Sequence, residues 1–313
     1  MPAMPGSATT VYPAIGAEWD LWFARISGYG LGNCFYCYFH AVVLAESLGA
    51  TVLFPSWLSL KIGPLLRRSN TKRFYWRMFK PYPGELSGFA KFFTLLSQHH
   101  RRKLIEINGA VEPTLARGSL NVVVFDPRKF TFKGLHAHRA AIRERLLGIL
   151  NDPVPPLHAW GAGDYIAVHV RLSDFAVVDP SVISKETANV RIPLTWYAQV
   201  IGALRDRFPG RQIYVFSDGK EHELKPLLEL GAQIYQSGSD MTDLLAMAGA
   251  SLVVGSNSTY SRWAVFLGNM PSIWLKMQQQ AEKPSAPDTP ILYVPIDHTG
   301  PLPWPSMRGA QLP

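Results

Sequence analysis

DYIAVHV, residues 164–170, is followed at once by RLSD, residues 171–174. The first stretch is mostly apolar, the composition of a strand buried on both faces of a parallel sheet. The abrupt turn to Arg171, Ser173 and Asp174 marks its carboxyl end. Moving outward, similar runs recur at 211–217 (RQIYVFS), 232–236 (AQIYQ), 251–255 (SLVVG) and 272–275 (SIWL). Helical patterns fall between them at 194–207, 220–230, 240–249 and 259–268. Strands alternating with helices at this pace predict an α/β fold whose parallel sheet is covered on both faces. The proline-rich tail beyond Gln280 reads as a surface wrap.

Upstream, LWFARIS (21–27) reads as a strand, and a glycine-rich turn follows from Gly28 to Asn33. A helical pattern then runs to about Leu48, and ATVLF (50–54) reads as a second buried strand. Together these make the opening β-loop-α-β unit of a doubly wound sheet. Further strands are expected at 103–107 and 121–125, and a helix at 136–150. That helix ends at Asn151-Asp152-Pro153, where proline stops helical continuation. The boundary predicted there separates an N-terminal domain, residues 1–155, from a C-terminal domain, residues 156–313.

The 313-residue chain is 47% hydrophobic and 17% charged, which excludes intrinsic disorder as its character. Its formal charge of +8 favours anionic partners such as nucleotide phosphates, phospholipid surfaces or nucleic acid. The two cysteines, Cys34 and Cys37, are too few for a four-cysteine zinc site, and their helical context makes them small core residues. No signal peptide and no apolar run of membrane-spanning length is visible, so a cytoplasmic, bacterial protein is expected. Between residues 57 and 80, Arg67, Arg68, Lys72, Arg73, Arg77 and Lys80 are interleaved with Phe74, Tyr75, Trp76 and Phe79. That segment reads as a peripheral contact with the inner face of a membrane or with an acidic acceptor, against the plainer reading of a solvated face. His99-His100-Arg101-Arg102-Lys103 forms a second basic run.

In an open α/β sheet, ligands bind outside the carboxyl ends of the strands. Three polar blocks stand at such ends. GYGLGN (28–33) fails as a dinucleotide fingerprint, because glycine is missing at Asn33 and no acidic residue follows at the required distance. It remains a loop whose Gly30 and Gly32 allow close backbone approach, with Asn33 at or near a helix N-cap, or simply a tight turn. In HVRLSD (169–174), alternation puts His169 and Arg171 on one strand face. The forked Arg171 suits a departing diphosphate, or it forms a structural pair with Asp174. In GSNST (255–259), Asn257, Ser258 and Thr259 at a helix N-terminus make an anion site, although an ordinary cap accounts for one of the hydroxyls.

Taken together, these blocks resemble the α-1,2-/α-1,6- and protein O-fucosyltransferase superfamily, the α-1,2 branch most closely. GYGLGNCFYCYF (28–39) is similar to its GGLGNQ segment, and HVRLSD to its H-x-R-R-G-D strand end. VFSD (215–218), DLLAM (243–247) and NSTYSRWA (257–264) follow in the family's order. The resemblance spans about residues 21 to 275. It implies a GT-B-like fold, two Rossmann-like domains facing across a cleft, with GDP-fucose held by the second and the acceptor on the side of the first. It implies that Arg171 grips the β-phosphate, that His169 and Asp218 are nucleoside-side contacts, that Ser258 and Thr259 are phosphate-loop hydroxyls, and that Asn33 faces the reacting centre. The family's second arginine is Leu172 here, its glycine is Ser173 and its glutamine is Cys34.

The chain contains no D-x-D carboxylate pair, so a metal-independent, inverting transfer to a glycan or glycolipid hydroxyl is expected, with no cofactor beyond the donor. Asp174, Asp179 and Glu186 are the carboxylates nearest the strand end, and Asp174 is the candidate base. Another nucleotide-sugar donor is the alternative enzyme, and a basic lipid- or nucleic-acid-binding protein the non-enzymatic one. Against nucleic acid, no recognised binding module is present.

Overall fold

The computed structural model describes residues 8–15, 19–26, 28–60, 75, 77–107, 114–125, 132–152, 160–173, 175–179, 183, 190–278 and 283–302. The chain divides into two compact units, Met1–Pro153 and Val154–Pro313.

In the N-terminal unit the strands are β1 (Thr10–Pro13), β2 (Trp19–Asp20), β3 (Ala24–Ile26), β4 (Thr51–Val52), β5 (Leu58–Leu60), β6 (Arg102–Ile107) and β7 (Leu120–Phe125). Its helices are α1 (Leu31–Ser47), α2 (Gly88–Ser97) and α3 (Arg139–Ile149). β4, β1, β7 and β6 lie side by side in that order, all parallel. β2, β3 and β5 form a separate small sheet. α1 is buried almost all round, including both cysteines, because LGNCFYCYFHAVVLA offers no polar stripe to solvent. Gly49, at φ +60, ends it in the left-handed conformation that glycine takes without strain.

Two expectations are corrected here. LWFARIS does not begin the main sheet: only Ala24–Ile26 is a strand, and it pairs in the small sheet. Leu21, Trp22, Phe23 and Ile26 are exposed. The strand that precedes α1 in the main sheet is β1, four buried residues ending in a proline. Such a short segment, half of it threonine and tyrosine, carries too little apolar periodicity to stand out. The helix α2, which the sequence reading did not pick out, follows the turn at Gly84.

In the C-terminal unit the elements run β8 (Gly163–Val170), α4 (Leu194–Arg207), β9 (Gln212–Ser217), α5 (Glu221–Leu228) and β10 (Gln233–Ile234). They continue α6 (Asp240–Gly249), β11 (Ala250–Val254), α7 (Thr259–Gly268), β12 (Ser272–Leu275) and β13 (Ile291–Val294). One parallel sheet results, in the order β10-β9-β8-β11-β12-β13. Chain order therefore reverses between β8 and β11, the point at which a doubly wound sheet opens a crevice.

Alternation along β8 sends Ile166, Val168, Val170 and, just beyond, Leu172 into a core shared with Trp196, Val200, Ile201 and Leu204 of α4. The opposite face of the sheet is covered by α6 and α7, whose Leu244, Leu245, Trp263, Ala264 and Leu267 are buried. The tail beyond Gln280 is not a mere wrap. Ile291–Val294 is a sixth strand, parallel to β12. It is drawn back by Asn269, left-handed at the end of α7, whose side-chain oxygen accepts from the Ala286 amide at 2.8 Å and the Thr289 hydroxyl at 3.2 Å. Prolines around a four-residue strand hide it from pattern reading.

Candidate functional site

The carboxyl ends of β8 and β11 bring two of the polar blocks together. His169, on the β8 face that looks toward α7, is buried, with its Nδ1 2.7 Å from Ser256 Oγ. The Tyr260 ring lies against it at 5.4 Å between centroids. Burial lowers the His169 pKa to about 4, although the Asp218 charge opposes this. The imidazole is therefore neutral at neutral pH. The unfolded chain, with an ordinary histidine, binds more protons between pH 4 and 6.5, so stability falls as pH drops through that window. The expected loss is on the order of 3 kcal/mol across it. Calorimetric melting from pH 7.5 to 4.5 should show this loss in the wild type and a shallower one in His169→Gln; equal slopes would remove His169 as the cause.

Arg171 projects from the same face, one position beyond the strand. Its sequence-level alternative partner, Asp174, lies outside the described residues, as does Glu186. Among the described residues Arg171 forms an ion pair with Asp218 at the end of β9, Nη1 to Oδ2 3.0 Å. The Asp218 carboxylate also accepts from the Leu172 amide at 2.8 Å and from the Ser173 hydroxyl. With its side chain only 5% exposed, Asp218 ties the turn after β8 to the end of β9. Asp218, the expected nucleoside-side contact, thus has both of its oxygens engaged by groups of the protein. Leu172, where the family carries a second arginine, fills core space: a Cβ on Gly219 would come within 2.4 Å of its Cδ1.

Beyond β11, Gly255 passes so close to the Trp274 ring that a Cβ there would lie 2.1 Å from it, and the chain turns through Ser256 and Asn257 into α7. Ser258 is the N-cap, its hydroxyl accepting from the Tyr260 amide at 3.3 Å, and Thr259 is the first helical residue. The Ser256 carbonyl accepts from the Ser258 amide at 2.8 Å, which closes the turn. The Asn257 Nδ2 is buried without a hydrogen-bond partner among the described residues. A helix N-terminus with its hydroxyls and an amide donor thus meets a neutral histidine here, and Arg171 follows the neighbouring strand end, a set of donors suited to an anion. Neither Ser256 nor Tyr260 was singled out from sequence, although both lie within the quoted blocks.

The third block belongs to the N-terminal unit. Gly30, not Asn33, is the N-cap of α1, and Gly32 is buried in its first turn. Asn33 sits third in the helix, and its Oδ1 is buried without a hydrogen-bond partner among the described residues. Only Gly28 of this loop needs glycine for its backbone, at φ +104.

The same unit holds a cavity of about 390 Å³ whose lining includes Trp22, Phe54, Trp57, Tyr75, Phe79 and Lys91. Trp57, Tyr75 and Phe79 are buried, and Trp57 stacks on Phe79 at 4.1 Å. Within the segment 57–80, expected at a membrane surface or an acidic acceptor, these three rings pack inward, while Arg67, Arg68, Lys72, Arg73, Phe74 and Trp76 lie outside the described residues. The indole N–H of Trp57 is buried without a partner among the described residues. Lys91 is buried and donates to the Trp22 carbonyl and, at 3.3 Å, to Ser56 Oγ. Burial lowers its pKa to about 8, with the Asp20 charge opposing. A lone lysine inside FAKFF was the available signal for it, since a buried amine must find polar partners.

Among solved structures, the chain is similar to a fucosyltransferase from Bradyrhizobium, NodZ, at 14% identity, covering 88% of this chain and 97% of that one, with a TM-score of 0.44. It is similar to POFUT1 in complex with GDP, at 11% identity, 91% and 99% coverage and a TM-score of 0.41. The E. coli heptosyltransferase WaaC with ADP matches at 14% identity, 87% and 88% coverage and a TM-score of 0.39. No protein-family model matches the chain, and no curated protein does.

Proposed function

We propose that this protein is an inverting glycosyltransferase of GT-B type that moves fucose from GDP-fucose to a hydroxyl of a glycan or glycolipid, a reading supported by motifs that resemble those of the α-1,2 branch. The observation that carries this reading is the convergence of Arg171, His169 and the Ser256–Thr259 turn at the switch point between β8 and β11. A crevice so placed, lined by anion donors, suits a nucleoside diphosphate.

In the proposed step the acceptor oxygen forms a bond to the anomeric carbon as the bond from that carbon to the β-phosphate oxygen breaks. The electron pair leaves with the diphosphate, and the acceptor proton passes to a carboxylate, for which Asp174 is the candidate. Arg171 and the amides at the start of α7 stabilise the charge that builds on the leaving group, which strengthens their hold in the transition state. Asn257, Ser258 and Thr259 would add donors, and neutral His169 would hold the turn through Ser256. By the sequence resemblance, Asn33, with Gly30 and Gly32 close by in the chain, would take part in the transfer. The aromatic walls of the cavity beside Lys91 would take the apolar face of an acceptor sugar.

Isothermal titration with GDP, UDP, dTDP and ADP tests the donor. Micromolar binding of GDP with at least tenfold preference supports the reading, and preference for another base replaces the donor while keeping the chemistry. No binding of any nucleotide sinks it. Transfer from GDP-fucose should survive EDTA, because guanidinium and helix amides do the work of a divalent ion. Complete loss with chelator, restored by magnesium or manganese, would overturn the metal-independent mechanism.

A further inference from the structure

Helix α2 is built the wrong way round for a soluble surface. Its one fully buried residue is Lys91, while Phe89, Phe93 and Leu96 are 79%, 61% and 63% exposed. Those three positions are four and three apart, so they form one stripe along the helix. The inward side carries Lys91 and Leu95, the latter packed against Tyr12, Leu53, Leu120 and Val122.

The stripe continues across neighbouring rings. Phe93 touches Phe92 at 5.6 Å between centroids, Phe92 touches Trp22 at 4.8 Å, and Trp22 touches Phe23 at 5.1 Å. Phe23 is itself 58% exposed. Single exposed apolar residues are ordinary, but a connected run of this kind marks an interaction surface. Directly after α2 the chain presents His99, His100, Arg101, Arg102 and Lys103, all exposed. No acidic residue occurs between Gly88 and Ile105.

We infer that the Phe89–Phe93–Leu96 face of α2, with Trp22 and Phe23 beside it and the cations Arg101, Arg102 and Lys103 flanking it, docks on an anionic phospholipid surface. Aromatic and leucine side chains enter the headgroup–acyl boundary while adjacent cations meet the lipid charge. A protein partner would have to answer three successive cations, Arg101, Arg102 and Lys103, with acidic groups as well as cover the rings; a bilayer containing anionic lipid supplies both over any area. The inference is independent of the donor-site reading, and it places the contact outside the segment 57–80 that the sequence suggested.

The test is co-sedimentation of the full chain with vesicles of phosphatidylcholine alone or mixed with phosphatidylglycerol. The wild type should sediment with the mixed vesicles at low salt, and less as salt rises. The triple variant Phe89→Ser, Phe93→Ser, Leu96→Ser should lose at least tenfold in partition, since each buried phenylalanine is worth on the order of tenfold. Arg101→Glu, Arg102→Glu and Lys103→Glu together should remove the preference for anionic lipid. Because a triple variant can misfold, Leu96→Cys bearing an environment-sensitive fluorophore gives a second readout: its emission should shift to the blue on adding mixed vesicles. No sedimentation of the wild type, an unchanged triple variant, or an unshifted label overturns the inference. So does a concentration-dependent dimer, seen by ultracentrifugation, that the triple variant abolishes, because the face would then belong to a second copy of the chain.

Discussion

Arg171→Ala is expected to lower sugar transfer by a hundredfold or more while leaving a folded protein. The guanidinium is held at the strand end by Asp218 at 3.0 Å, with its side chain 17% exposed, so it is fixed yet reachable by a ligand. A charge-assisted contact that strengthens as charge builds on the leaving group is worth on the order of 3 kcal/mol. Stability should change little, because Asp218 keeps the Leu172 amide and the Ser173 hydroxyl after the arginine is gone. Arg171→Lys should also fail, since an ammonium cannot present two parallel donors and hold Asp218 at the same time. The check is turnover at saturating donor, with GDP affinity measured alongside. An alanine variant that keeps most of its turnover would remove Arg171 from the mechanism.

Gly255→Ala is expected to cost about 3 kcal/mol of stability and to abolish nucleotide binding with it, although the change adds one methyl group. A Cβ at this position would lie 2.1 Å from the Trp274 ring, a distance at which something must move. The ring has little freedom to yield: its Nε1 donates to Ser272 Oγ at 2.8 Å, and the Arg262 guanidinium lies 4.7 Å over it. The strand end must shift instead, carrying Ser256 away from His169 and Ser258 away from its capping position. Gly202→Ala is the control. It lies inside α4 with nothing within 4 Å of the added carbon, so removing a flexible glycine should stabilise the helix by about 0.5–1 kcal/mol. Equal melting temperatures for Gly255→Ala and wild type would show that the indole moves aside freely.

Regular alternation made the C-terminal unit readable in one dimension. The runs 164–170, 211–217 and 272–275 are apolar because a strand between two helical layers meets no water on either face, and that requirement is written residue by residue. Helices 194–207, 240–249 and 259–268 were equally plain, since each carries a full apolar stripe or two. Where local pattern is weak, the chain gave no such guide. Thr10–Pro13 is a strand because β4 and β7 flank it on both sides, and Ile291–Val294 because Asn269 and β12 draw the tail back. LWFARIS, a longer apolar run than either, contributes only Ala24–Ile26 to a small sheet and leaves both of its rings, Trp22 and Phe23, exposed.

The same division holds at the site. Strand ends, a forked arginine and a hydroxyl-rich helix start are local chemistry, and residues 169–171 and 255–259 display them without any partner. What pairs with what is not local. That Arg171 pairs with Asp218, that Ser256 meets His169, and that Trp274 crowds any side chain at Gly255 all depend on which strands lie adjacent. The order β9-β8-β11-β12 juxtaposes residues between 19 and 87 positions apart along the chain. Composition and periodicity decide which residues are buried; only the packed sheet decides which buried residues touch, because contact across strands is set by register and topology rather than by sequence separation.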